Sequence, residues 1–256
     1  LLPLLWFVTE FSTVWVQDPF VLYRSYLWGI ALPGLLAIAL TGFQPRVIYI
    51  FGIVVGTLLG ALAIERNLSL SEEVVTWTDA AEKTNLQAPA NAVGRSRPFL
   101  NLGAYYIRKG LIDQAERNIA TAVALNDRGE LGSGARFNSG VILQLKKNHV
   151  EALRSFDAAE ALGYSQPGLY FHKAESLAAL GQMEPALESF RVALTQAEAD
   201  PLQRGVVPTI RIRLVETAMA AQRYDEAITG FKTLLQTNPH DPRLRLGLGM
   251  AMVGKG

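Results

Sequence analysis

Residues 101–125 read NLGAYYIRKGLIDQAERNIATAVAL. Apolar residues recur at three- and four-residue intervals on both sides of a Lys-Gly break, the pattern of two amphipathic helices joined by a tight turn. The second half of the stretch returns further along the chain. QAERNIATAVALN (114–126), EALRSFDAAEALG (151–163), EPALESFRVALTQ (184–196) and DEAITGFKTLLQTNP (225–239) share one frame. Their anchoring alanines, Ala115, Ala152, Ala186 and Ala227, are spaced by 37, 34 and 41 residues. Four residues after each alanine stands Ile119, Phe156, Phe190 or Phe231, and shortly before each comes a turn: KG, KKN, GQ or QR.

A helix–turn–helix unit of about 34 residues has the tetratricopeptide period, and residue by residue the segments resemble that family. Leu102-Gly103, Tyr106, Ala115, Ile119 and Ala122 fill its small and large positions in the first unit; Gly140, Leu143, Ala152, Phe156 and Ala159 do so in the second. The third unit has Ala174 for the first-helix glycine and Pro185 at the start of its second helix, where proline is tolerated. The fourth has Val215 for that glycine and ends on Asn238-Pro239; a fifth begins at Asp241 with Leu248-Gly249. QAEADPLQRGVVP, ahead of unit four, reads as a longer inter-repeat loop. The expected fold is all-α: transmembrane helices followed by a tetratricopeptide-repeat α-solenoid over 98–256, with about four repeats and a truncated fifth.

The transmembrane expectation comes from the other end. Residues 1–64 carry only Glu10, Asp18, Arg24 and Arg46 as charges. Residues 26–43 and 47–64 are nearly uncharged stretches separated by Gln44-Pro45-Arg46, and each is long enough for a thin bilayer core. They predict a tight hairpin of two spans, with LLPLLWFV (1–8) as part of a third. Gly52, Gly56 and Gly60 form a ridge on the second span where another helix can approach. Arg46 votes for a cytoplasmic loop, which places everything after Ile64 outside the cytoplasm. LLPLLWFV lacks the basic region and cleavage site of a signal peptide, and the chain reads as the C-terminal part of a longer multi-pass membrane protein, most simply of a bacterial inner membrane.

Between the two parts, 65–97 reads as a linker with a short helix near 70–84. SLSE (69–72) is its expected capping box, Ser69 capping and Glu72 reaching back, and QAPANAVGRSRP (87–98) is a loop. Other chemistry is thin. A net charge of +1 gives no basic face for nucleic acid, and the absence of cysteine excludes disulfides, thiolate metal sites and a cysteine nucleophile. His149, His172 and His240 fall in different repeats at no ligand spacing and read as surface or packing residues. No phosphate loop or nucleophile elbow occurs, and the sequence calls for neither cofactor nor metal. In TEFSTVWVQDPFVLYRSYLW (9–28) the aromatics read as an interface belt, or Arg24 faces an anionic group such as a lipid phosphate.

The order of parts is similar to the transmembrane and tetratricopeptide-repeat O-mannosyltransferase family and its bacterial relatives. The matching pieces are Arg24-Ser25-Tyr26-Leu27, Trp77-Thr78-Asp79-Ala80-Ala81-Glu82-Lys83 and Asn101-Leu102-Gly103; Trp28 stands where that family usually has proline. The resemblance implies a glycosyltransferase using a polyprenyl-phosphate sugar, with acidic catalytic residues in an early loop that this chain does not contain. The alternative is a membrane-tethered scaffold without enzymatic activity.

The tetratricopeptide resemblance further implies that first helices line a partner-binding groove for a polypeptide. Its lining positions fall on Arg97, Leu100 and Arg108 in unit one, Phe137 and Gln144 in unit two, Phe171 and Glu175 in unit three, and Ile212, Glu216 and Met219 in unit four. That surface is apolar, basic at the first unit and acidic at the last two, and lacks the lysines and asparagines of a carboxylate clamp. Phe137 and Phe171 either line the groove or fill the seams between units.

Overall fold

The computed structural model describes residues 40–69, 72–88, 94–125 and 129–256. The chain divides into two compact units, Leu1–Leu68 and Ser69–Gly256. In the first, the described element is helix α1 (Pro45–Ser69), preceded by a turn over Leu40–Phe43. An 18-residue window of α1, Pro45–Leu62, has a mean hydropathy of 1.8 and none of it is buried. By length and composition α1 can cross a membrane. It outruns the expected span of 47–64 at both ends, because Pro45 is acceptable in a first turn and no breaker follows Ile64. Among the described residues, a Cβ added at Gly52, Gly56 or Gly60 meets nothing within 4 Å. The expected span over 26–43 lies outside the described residues except for its last four, which form the turn; the segment 1–8 and Arg24 also lie outside them.

The capping box is not formed. Helix α1 continues through Ser69, and an N-cap needs a non-helical backbone. The next helix, α2 (Glu73–Glu82), takes Glu72 as its N-cap in an extended conformation, with no side-chain hydrogen bond to the helix start. It is therefore shorter than the expected 70–84.

The second unit continues with α3 (Arg97–Arg108), α4 (Ile112–Leu125), α5 (Glu130–Leu145), α6 (His149–Ala161), α7 (Pro167–Ala179), α8 (Met183–Ala199), a 3-10 helix (Pro201–Val206), α9 (Val207–Ala220), α10 (Tyr224–Thr237) and α11 (Pro242–Lys255). Thus α3–α4, α5–α6, α7–α8 and α9–α10 are four helical hairpins, and α11 is the first helix of a fifth. The loop expected over 87–98 ends two residues early, since Pro98 opens α3. Proline sits at the first or second position of α3, α7, α9 and α11, where its missing N–H leaves no bond unmade.

One packing rule runs through the hairpins. Ala115, Ala152, Ala186 and Ala227 are wholly buried, and Ile119, Phe156, Phe190 and Phe231 lie over the first helix of the same unit. A Cβ on Gly103 would stand 2.3 Å from Ile119 Cδ1, and one on Gly140 would stand 2.4 Å from Phe156 Cε1. Glycine is required at both because the large residue lies directly on the backbone. Unit four reaches the same closeness in reverse: its first helix carries Val215, and a Cβ on Gly230 of the second helix would stand 2.3 Å from Val215 Cγ2. The small residue has changed helix, which explains the valine that departs from the family pattern.

The hairpin turns also keep one frame. Gly110, Lys147, Gly181 and Gln222 occupy equivalent positions, all left-handed, with φ of 72°, 62°, 77° and 58°. After each, an N–H donates back to a carbonyl five residues earlier: Leu111 to Tyr106, Asn148 to Leu143, Gln182 to Leu177 and Arg223 to Ala218, at 2.8–2.9 Å. This closes the helix end and satisfies carbonyls that would otherwise be bare. The extra residues before unit four become the 3-10 helix, capped by the Asp200 carboxylate on the Leu202 N–H, and it packs on α8 and α9.

Candidate functional site

Two adjoining cavities open along the first helices of units one to four. The larger, about 550 Å³, lies between α3, α5 and the turn ahead of α7. Leu100, Asn101 and Ala104 line it from α3, Phe137 and Asn138 from α5, and Tyr164 from the turn. The Phe137 and Tyr164 rings stack with centroids 4.7 Å apart and 14° between planes. Burial pushes the Tyr164 hydroxyl above its ordinary pKa, and the Glu130 carboxylate adds to the effect, so it stays a neutral donor. The side-chain amides of Asn101 and Asn138 are half-buried, with no hydrogen-bond partner among the described residues.

The smaller cavity, about 230 Å³, lies between the start of α7, the 3-10 helix and the start of α9. Phe171 and His172 form its α7 wall, Val206 and Gln203 the 3-10 wall, and Thr209 and Ile210 the α9 wall. The two cavities share a rim, for Gln166 lines the first while Pro167 and Gly168 line the second.

The expected groove residues divide on this geometry. Leu100 and Phe137 line the larger cavity and Phe171 the smaller. Both phenylalanines also pack into the seams: Phe137 lies 5.9 Å from the Phe156 ring and Phe171 5.7 Å from Phe190. Each therefore has one face in the core and one on a cavity. Arg97 and Ile212 are exposed on their first helices. Met219 packs on the core of the last units.

Four of the polar members, Gln144, Arg108, Glu175 and Glu216, are occupied by the scaffold. Gln144 donates to the His172 carbonyl and the Ser176 hydroxyl, each at 3.1 Å, while its carbonyl oxygen stands 2.7 Å from His172 Nδ1. It locks α5 to α7. Burial pulls the His172 pKa down, opposed by the Glu175 charge, and the ring is a packing residue as expected. Arg108 is turned onto Glu73 of α2 at 2.6 and 2.7 Å. Glu175 and Glu216 both pair with Arg213 of α9, which holds the guanidinium pKa up, chiefly through Glu175 and against the cost of burial. Arg108 and Glu175 thus have counter-ions on neighbouring elements and Glu216 one on its own helix, so these three charges of the basic-to-acidic gradient are met within the scaffold, while Arg97 stays exposed.

Asn101, Asn138, Tyr164 and the 3-10 helix wall were not among the expected lining positions. A signal existed for the asparagines, which are 37 residues apart in the same frame as Ala115 and Ala152. The walls from Tyr164 and Val206 had none, because they come from turns between units.

Comparison with known proteins places this arrangement. A family model described as tetratricopeptide repeat matches residues 100–167 and 212–254. Among solved structures, YrrB, titled a TPR protein with an unusual peptide-binding site, superposes with a TM-score of 0.55 at 19% identity, covering 70% of this chain and 83% of that one. MamA gives 0.52 at 16% identity, over 63% of this chain and 82% of that one. A tetratricopeptide repeat protein of Parabacteroides merdae gives 0.52 at 21% identity, over 64% and 61%. No curated protein sequence matches. At these identities the structures speak for the fold alone, and with the family model they agree on one statement: the repeat part of the chain has the fold of tetratricopeptide-repeat proteins.

Proposed function

We infer that the repeats bind a polypeptide along the face made by α3, α5, α7 and α9. The observation that carries this reading is the pair of Asn101 and Asn138, whose side-chain amides have no hydrogen-bond partner among the described residues, in a cavity whose other walls mix apolar residues (Leu100, Ala104, Phe137) with polar ones (Glu130, Ser133, Gln166). A side-chain amide offers one acceptor and two donors, the complement of a main-chain peptide group, so two amides without intramolecular partners can pair with the main chain of a ligand. Tetratricopeptide arrays as a class expose extended surfaces of this kind to peptide partners.

The wider reading places the module beside a bilayer, through α1, in a larger protein. Its apolar window supports a membrane-embedded role for that helix. An extracytoplasmic location of the repeats rests on Arg46 alone. The order of parts supports a glycosyltransferase using a polyprenyl-phosphate sugar, in which the repeats would hold acceptor polypeptide near the membrane. A transferase requires further spans and an early loop with acidic residues, whereas a membrane-tethered scaffold requires neither.

The test of peptide binding uses the whole chain in mild detergent, panned against a phage-displayed library of random peptides. Binders should emerge that compete with one another. Ala104→Trp, which fills the larger cavity, should abolish their capture with far-UV circular dichroism unchanged. No binders, or binders indifferent to Ala104→Trp, would contradict the reading.

A further inference from the structure

The smaller cavity owes its existence to a feature peculiar to one seam. The anchoring alanines of units three and four are 41 residues apart, against 34 between units two and three. The added length forms the 3-10 helix Pro201–Val206, whose Gln203 and Val206 become a cavity wall facing Phe171. The neighbouring seam between units two and three, at the shorter spacing, is filled by Phe137, Phe156 and His172, whose rings stand 5.6–6.1 Å apart. Lengthening the connection has added the 3-10 helix as a wall beside Phe171.

Resting on the polypeptide-binding reading, we propose that this cavity is an anchor pocket for one bulky apolar side chain of the bound segment, and that the 3-10 insertion sets the partner's specificity. Three observations point to that occupant. Size is the first: a cavity of about 150 Å³ accepts a benzene ring, so one of about 230 Å³ accommodates a phenyl or indole group. Charge is the second. Among the residues on its wall there is no carboxylate, lysine or arginine. The one titratable group is His172, on the Phe171 side, held neutral by burial and faced by the Gln144 carbonyl oxygen. A charged side chain would enter without a counter-ion at a cost in desolvation. Position is the third, because the pocket begins at Pro167, directly after Gln166 on the rim of the amide-lined cavity. A strand held by its main chain at Asn101 and Asn138 can continue over that rim and lower a side chain into the pocket. In an extended strand alternate side chains point one way, so one anchor suffices to fix the register.

The partner is accordingly an extended, locally uncharged polypeptide with a single aromatic or large aliphatic residue toward one end of the contacted stretch.

The peptides selected against the whole chain test the proposal directly. They should share one aromatic or large aliphatic residue. Thr209→Trp, which fills the pocket from an exposed position, and Val206→Asp, which charges its wall, should each weaken a selected peptide by roughly tenfold or more. Replacing the shared peptide residue by alanine should cost the wild-type chain a similar factor and cost the Thr209→Trp chain nothing further. Asn138→Ala should weaken all selected peptides evenly and leave the shared residue unchanged. Selected peptides without a shared apolar residue, or full-strength binding by both pocket variants, would overturn the anchor pocket. If Ala104→Trp still abolished capture, that outcome would leave the polypeptide-binding reading standing. A library yielding no binders at all would overturn both.

Discussion

Units two and four solve the same problem from opposite sides. In both, two helices must approach until side chains of one touch the backbone of the other. Unit two does it with Gly140 on the first helix under Phe156 of the second. Unit four keeps a large residue on the first helix, Val215, and places glycine on the second at Gly230. Phe231 remains buried at 8% exposure, and a Cβ on Gly247 of α11 would come within 2.3 Å of its ring, so this aromatic presses on the next unit as well. What the fold fixes is the distance between helices; which helix supplies the small residue is free. A repeat pattern defined position by position registers unit four as a departure, whereas the pair of positions shows the same contact.

The largest effect that would sharpen this comparison is expected at Gly140. Gly140→Val places branched carbon inside the Phe156 ring position and should destabilise the chain by about 1–3 kcal/mol or more, read as a lower urea midpoint by circular dichroism. Full wild-type stability would break the contact assigned to unit two. The hairpin turns come next. Lys147 and Gln222 hold a left-handed backbone that Gly110 and Gly181 hold in the other two units. Lys147→Gly and Gln222→Gly should each stabilise by up to about 1 kcal/mol, and Gly110→Ala and Gly181→Ala should each destabilise by about the same amount. Equal responses of all four positions would mean the turns do not share one frame.

The smallest effect concerns the seam where Gln144 grips His172. Burial lowers the pKa of that imidazole in the folded chain. The unfolded chain therefore takes up the proton first, at about pH 6.5. Stability is full above that pH and falls as the pH drops toward the depressed folded value. His172→Gln should remove this component, so the wild-type chain should lose more stability than the variant between about pH 7.5 and pH 5.5. Parallel pH profiles would move His172 out of the seam.

Much of the fold was legible because its determinants repeat. Ala115, Ala152, Ala186 and Ala227 announce the closest approach of two helices, and the large residue four positions on follows from helical geometry. What stayed hidden depends on two elements at once. Gly230 has meaning only beside Val215, and Glu175 only beside Arg213, 38 residues away. The 3-10 helix changes from spacer to cavity wall only when α7 and α9 are placed around it. The capping box failed for a related reason: the local signal at Ser69 was outweighed by the continuation of α1. Of the candidate site, the sequence showed the lining helices and Leu100, Phe137 and Phe171. It did not show which polar positions were already taken by neighbours.

The central claim, that each unit closes on one small residue that can sit on either helix, is tested most directly by a double-mutant cycle in unit four. Gly230→Ala alone should overpack against Val215 and lower stability, by about 1–3 kcal/mol. Combined with Val215→Ala, it should recover most of that loss, giving a coupling energy of about 0.5–3 kcal/mol in urea denaturation. Additive losses in the double variant, with no coupling between the two positions, would contradict the account.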